Sequence, residues 1–172
     1  TGSFAVRYFP EGFIFDVAGS AVFFESREDF SYFTGLLNSA VVTSVLQALS
    51  PTLNFEAEHL SKIPVLPAKN RAAAASHASG IVERIINCSK ADWDDYETSW
   101  DFTTLPLLSP DHRAGTLEAS YANLRAHWQD MTDEMHRLEE ENNRIFIDAY
   151  GLQDELTPEV PIDEITLTCN PA

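Results

Sequence analysis

The chain has 172 residues, room for one ordinary domain or for a compact unit with a helical extension. Apolar residues make up 44% and aromatics 11%, enough for a sizeable core, which excludes a disordered polymer. No run approaches the ~20 uninterrupted apolar residues of a membrane span, and no basic-then-apolar leader opens the chain. Eleven basic residues against 27 acidic ones leave a net charge of −16, the wrong sign for a surface that meets a nucleic-acid duplex broadly.

The charge is uneven. Residues 1–67 carry three basic and seven acidic side chains, and residues 91–111 carry no basic and six acidic ones. Only residues 68–90 are net basic, with Lys69, Arg71, Arg84 and Lys90 against Glu83. Any DNA contact is therefore confined to a small face or supplied by parts of a longer protein. The missing initiator Met and the strand-like opening suggest an excised fragment. Cys88 and Cys169 are too few and too far apart for a disulfide framework or a C-x-x-C motif, so they read as free thiols of a reducing cytoplasm.

The first piece, residues 1–67, opens on Phe4-Ala-Val-Arg-Tyr-Phe9 and Gly12-Phe-Ile-Phe-Asp-Val17, aromatic and β-branched runs around the turn chemistry of Pro10-Glu11-Gly12. They predict strand, turn, strand, followed by a turn at Gly19-Ser20 and the run Ala21-Val-Phe-Phe24. Ser26 with Asp29 resembles a capping box with Asp in place of Glu. Phe30, Phe33, Leu36 and Leu37 then form a stripe at helical spacing. Asn38-Ser39 predicts a stop and restart, because both side chains compete for backbone hydrogen bonds. Val41, Val42, Val45, Leu46 and Leu49 continue the apolar face until Pro51 ends it.

Residues 52–67 are irregular and polar. Asn54 is placed to cap a single turn from Glu56 to His59, and Ile63-Pro-Val-Leu-Pro67 is extended, because each proline biases its predecessor away from helix. Ser61 and Lys62, with Lys69 and Arg71 just beyond, are the candidate DNA contacts. Each is also an ordinary solvated residue type at such a place.

The second piece is an alanine-rich helix over 71–89 with its stripe on Ala72, Ala75, Ser79, Val82 and Ile86, within a helical spacer assigned to residues 68–150. The third is a long rod from Thr116 to Tyr150, about 50 Å at 1.5 Å per residue. Leu117, Tyr121, Leu124, Trp128, Met131, Met135, Leu138, Asn142 and Ile145 repeat at alternating steps of four and three, a heptad seam that requires a partner helix. Asn142 is the lone polar seam residue, of the kind that fixes register at some cost in stability. Gly151 supplies a left-handed stop, and residues 151–172 read as an extended acidic tail.

Between these helices the loop 91–115 sets Trp93, Tyr96, Trp100 and Phe102 among Asp92, Asp94, Asp95, Glu97 and Asp101. Aromatics can stack on exposed bases, but these carboxylates repel the flanking phosphates. The expectation is that the rings pin the loop onto the helices. The fold class expected from all of this is α+β: a small β-containing N-terminal recognition segment with a helix pair, then a long antiparallel, coiled-coil-like helical spacer.

Catalytic motifs are missing from the sequence. There is no Gly-rich cofactor loop after a strand, no P-loop, no Gly-x-Ser-x-Gly elbow and no His-Glu-x-x-His. The five histidines show no metal-ligand spacing, so no catalytic, cofactor or metal residue is assigned. The Asp/Asn/Ser-Pro-Pro-Tyr/Phe tetrapeptide with which amino-methyltransferases hold a flipped adenine is also absent.

The order of an apolar helix pair, a polar loop and a proline-stopped extended segment resembles the specificity region of restriction-modification enzymes. Leu36-Leu37-Asn38-Ser39, Pro51-Thr52-Leu53-Asn54-Phe55, Ile63-Pro64, the block from Asp92-Trp93-Asp94-Asp95-Tyr96 through Glu97-Thr98-Ser99-Trp100-Asp101-Phe102, and Asn143-Arg144-Ile145-Phe146 through Tyr150-Gly151-Leu152 occur in this order in PglX-type proteins. These are the adenine-specific DNA methyltransferases of bacterial BREX phage-exclusion systems, and the resemblance runs along nearly the whole chain. The acidic aromatic block is its most particular part.

The resemblance implies a large cytoplasmic protein that uses S-adenosylmethionine to methylate adenine at N6 in double-stranded DNA. This chain would lie after the catalytic domain as recognition segment and spacer, with no cofactor of its own. The other function left open is a protein-interaction helical module contacting another BREX subunit, with no direct DNA binding. Neither implies a membrane.

Overall fold

A computed structural model describes residues 4–14, 21–49, 57–165 and 167–170. Five α-helices follow one another among them: α1 Arg27–Leu37, α2 Ala40–Leu49, α3 Ala57–Ser61, α4 Ala68–Asp94 and α5 Leu117–Tyr150. Two 3-10 turns, Pro106–Leu108 and Ile162–Glu164, lie in the connections.

The expected α+β class is overturned: among the described residues there is no strand. The segments 4–9 and 21–24 form no hydrogen-bond ladder, and strand formation depends on pairing as much as on β-favouring side chains. Two of their aromatic rings, Tyr8 and Phe24, lie on α1 instead. Phe24 stacks on Phe33 at 5.4 Å and meets Phe30 edge-on at 6.2 Å, and Tyr8 meets Phe30 edge-on at 5.7 Å. Residues 15–17 of the second expected strand, and the expected cap Asn54, lie outside the described residues.

The helix boundaries follow local chemistry. Ser26 caps α1 by accepting the Asp29 N–H at 3.0 Å, while its own hydroxyl donates to the Asp29 carboxylate. Gly151, at φ +70°, ends α5, and Leu152 N–H reaches back to the Ile147 carbonyl at 3.0 Å. The helix expected over 71–89 is longer, 27 residues. It begins directly after Pro67, and at its far end Lys90 and Asp94 form an i,i+4 ion pair.

By internal contacts the chain divides into two units, Thr1–Glu83 with Glu141–Glu159, and Arg84–Glu140 with Val160–Ala172. In the first unit the core gathers Tyr32, Leu36, Val41, Val42, Leu46, Ala74, Ala75, Ala78, Val82, Phe146 and Ile147. The apolar faces of α1 and α2 point into it, with the two helices bent by 62° at the break between them. Among the described residues no single helix is long and apolar enough to cross a membrane. In the second unit Met131, Met135, Ile165, Leu167 and Cys169 form the core, with Ile85, Cys88, Trp128 and Val160 packed against it. Arg84 pairs with Glu134 and the Cys88 thiol faces the Met131 carbonyl, so the α4 and α5 segments of this unit run antiparallel.

The α5 stripe departs from the expected seam at both ends. Ser120 is buried where Tyr121 was expected, and Phe146 where Ile145 was expected. That drift is what a helix of 3.6 residues per turn produces against a strict 3.5-residue repeat. Leu117 and Tyr121 are 72% and 48% exposed. On α4 the buried apolar positions are Ala74, Ala75, Ala78, Ile81 and Val82, with Ala72 on the exposed side.

Candidate functional site

The expected DNA-contact residues all fall in the first unit, on either side of the non-helical segment 63–67. Three of them already have partners. Ser61 donates its hydroxyl to the Glu58 carbonyl at 2.7 Å, and Lys62 pairs with the Glu58 carboxylate at 2.8 Å. Arg71 Nε lies 3.6 Å from Asp29 Oδ1. Lys69 is exposed on the first turn of α4. The Lys62–Glu58 and Arg71–Asp29 contacts are surface ion pairs of modest strength, which a phosphate displaces at little cost.

The segment carrying these residues is held in place by two tyrosines. Leu66 N–H donates to the Tyr32 hydroxyl at 3.2 Å, and Tyr150 donates to the Pro64 carbonyl at 2.5 Å. The Tyr150 proton is thereby used, so in the 3.1 Å contact between the two hydroxyls Tyr32 is the donor. One directional chain runs from Leu66 N–H through both phenols to Pro64 C=O. Burial holds the Tyr150 phenol well above its ordinary range.

A second device fixes the break between α1 and α2. The last carbonyls of α1 and the first N–H groups of α2 have no partner within their own helices. Thr34 C=O receives the Asn38 side-chain amide at 3.0 Å, and Leu36 C=O receives both the N–H and the hydroxyl of Ser39. Gly35 C=O receives Asn142 Nδ2 at 2.9 Å, and Ala40 N–H donates to Asn143 Oδ1 at 2.8 Å. Adjacent asparagines of α5 thus cap the end of one helix and the start of the next. Asn143 Nδ2 also donates to the Pro158 carbonyl at 3.1 Å.

Asn142 is buried, and its Oδ1 has no hydrogen-bond partner among the described residues. Reversing the amide would set oxygen against the Gly35 carbonyl, so the orientation is settled by that bond. Oδ1 instead rests against the Cα–H of Gly35, since a Cβ built there would lie 2.8 Å from it. Sequence reasoning reached Asn142 through the heptad spacing but missed Asn143, Gly35 and the tyrosine pair. Two signals were available: an isolated glycine inside α1 and two consecutive poor helix formers inside α5.

In the second unit the expectation that aromatics pin the 91–115 loop fails for Trp93 and Trp100, which are 55% and 88% exposed, while Phe102 is half-buried. Polar groups order the loop. Lys90 bridges Asp94 at 2.5 Å and Asp101 at 2.6 Å, and the Ser99 hydroxyl donates to Asp94 at 2.6 Å while accepting the Asp101 N–H at 3.1 Å. Buried Asp92 accepts two backbone N–H groups of the C-terminal tail, Thr168 at 2.7 Å and Cys169 at 3.0 Å. The His112 and His127 rings lie tilted at 36° to each other with centroids 4.9 Å apart. Among the described residues no group of three or more His, Cys, Asp or Glu is arranged to hold a metal ion.

Burial, with the Asp92 carboxylate adding to it, pushes the Cys169 thiol up to about 12 from an ordinary 9.0. Cys169 and Tyr150 are acids whose pKa is raised in the folded state. Their contribution to stability is complete below the unfolded-state pKa and is lost as pH rises through the folded one. The denaturation midpoint is therefore expected to fall between pH 9 and about 12, with a shallower fall in Cys169→Ala. Equal alkaline slopes for parent and variant would remove Cys169 from this account.

No protein-family model matches the chain. Over 165 residues it is 38% identical to the adenine-specific methyltransferase PglX of Lacticaseibacillus casei (strain Zhang), an alignment covering 92% of the chain and 13% of that relative. Over 172 residues it is 33% identical to the adenine-specific methyltransferase BrxX of Escherichia coli O9:H4 (strain HS), covering 99% of the chain and again 13% of the relative. The chain is a homologue of the PglX/BrxX-type adenine-specific methyltransferases and corresponds to 13% of their length.

Proposed function

We propose that the chain is the non-catalytic specificity and spacer segment of an S-adenosylmethionine-dependent N6-adenine DNA methyltransferase acting in a cytoplasmic BREX phage-exclusion system. The observation that carries this reading is the similarity to two methyltransferases along nearly all of the chain but only 13% of each relative. The sequence has neither a Gly-rich cofactor loop after a strand nor the adenine-holding tetrapeptide, so its residues do not fit a site for S-adenosylmethionine. Cofactor and chemistry then belong to the rest of the protein. The role of this chain is to orient a small DNA-facing segment.

That segment is the connection from Ser61 to Arg71. The tyrosine chain holds its backbone and the paired asparagines hold the helices beneath it, so Lys62, Lys69 and Arg71 meet phosphates from a rigid base. The test is charge reversal of all three to glutamate in the full-length methyltransferase. DNA affinity is expected to fall about 10- to 100-fold, and the slope of affinity against salt to flatten by about one unit for each phosphate no longer neutralised. Unchanged DNA affinity, with loss of binding to another subunit of the defence system, would favour the interaction-module reading instead.

A further inference from the structure

The turn that follows α4 in the second unit holds a tryptophan out into solvent and is built to keep it there. Ser99 N–H bonds to the Tyr96 carbonyl at 2.9 Å, and the Ser99 side chain is buried between Asp94 and the Asp101 N–H. Lys90 ties both ends of the turn through Asp94 and Asp101. Trp100 stands between these fixed points at 88% exposure, and Trp93, seven residues earlier, is 55% exposed. Leu105 and Leu108 in the following connection are exposed as well. A hydrogen-bonded turn that presents a tryptophan has already met the ordering cost of binding, and exposed aromatic anchors of this kind mark interfaces.

The surrounding charge selects the occupant. Residues 91–111 carry six acidic side chains and no basic one. Lys90 offsets Asp94 and Asp101, and the tail engages Asp92; of the other three, Glu97 and Asp111 are exposed, and half-buried Asp95 lies near His127 and His112. A duplex is repelled by that sign, and a second copy in a two-fold symmetric pair would set the same acidic turn against itself. A cation is attracted twice, by the carboxylates and by the indole faces.

We propose that this turn is the docking face for a cationic, lysine-bearing segment of the same methyltransferase polypeptide lying outside these 172 residues. The proposal rests on the reading above that the chain is part of a longer methyltransferase, since the matched part is only 13% of each relative. A tethered segment has an effective concentration near millimolar, which favours it over a separate protein of the same chemistry.

The experiment is zero-length carbodiimide cross-linking of the full-length protein, prepared as a mixture of 14N- and 15N-labelled chains, with adenine methylation measured on the same sample. Asp95 or Glu97 is expected to link to a lysine outside the 172 residues, in isotopically unmixed pairs. Trp100→Ala is expected to lower the yield about tenfold, and Trp100→Phe to retain most of it. Links only to Lys90 or to other lysines within these residues, isotopically mixed links, links to a separate protein, or a yield indifferent to Trp100→Ala would each overturn the proposal. Methylation without these links sinks the docking face alone. Lack of adenine methylation sinks the functional reading instead, whatever the links are.

Discussion

Gly35→Val is expected to destabilise the first unit by about 3 kcal/mol, the range of core overpacking combined with a broken buried hydrogen bond. A Cβ at this position would lie 2.8 Å from Asn142 Oδ1, 2.8 Å from Phe146 Cε2 and 3.2 Å from Phe146 Cζ. Both neighbours are buried, so neither can withdraw into solvent. If Asn142 swings away, the Gly35 carbonyl loses its partner at the end of α1 and a second unsatisfied polar group is buried. Alanine meets the same three atoms but recovers about 1 kcal/mol of helix propensity, so its expected cost is smaller, about 1–2 kcal/mol. The measurement is the urea midpoint at unchanged slope, together with a double-mutant cycle against Asn142→Ala, which should show coupling. A Gly35→Val midpoint at or above that of the parent would show that α1 and α5 are not held at this point.

Asp92→Ala is expected to cost about 3 kcal/mol in the second unit and to free the C-terminal tail. The carboxylate is buried and uses both oxygens, one on Thr168 N–H and one on Cys169 N–H. Charge-assisted hydrogen bonds contribute about 1.5–3 kcal/mol each, and alanine leaves both donors without a partner. Asn at 92 keeps the shape but turns an amide donor toward one of the N–H groups, so an intermediate loss of about 1–2 kcal/mol is expected. Hydrogen exchange at Thr168 and Cys169 reads this directly. Unaltered protection in Asp92→Ala would mean that Ile165, Leu167 and Cys169, packed against Met131 and Met135, hold the tail without the carboxylate.

Much of the helical framework was legible because its signals are local. Ser26 and Asp29 marked the start of α1, Asn38-Ser39 the break, and Gly151 the end of α5, and each acts through atoms within a few residues of itself. The strands failed for the opposite reason. Phe4 to Phe9 has β-favouring side chains, but a strand needs a second backbone to pair with, and here the Tyr8 ring found α1 instead. The aromatic loop failed similarly: apolar character predicted burial, while the polar turn around Ser99 and Lys90 had enough bonds of its own to leave Trp100 outside.

Sequence by itself determined which stretches are helical, where α1 and α5 end, that the catalytic motif is absent, and which methyltransferases the chain resembles. Periodicity, capping and motif content are written over short spans, so they survive without coordinates. Only the tertiary structure decided that Asn142 and Asn143 cap helices about one hundred residues earlier in the chain, and that two tyrosine hydroxyls steady the Pro64–Leu66 backbone. It alone turned Asp92 toward the tail and Trp100 toward solvent. A polar side chain at a helical position carries no local mark of its distant partner, and that partner is set only when the chain folds back to bring the unsatisfied backbone group within reach.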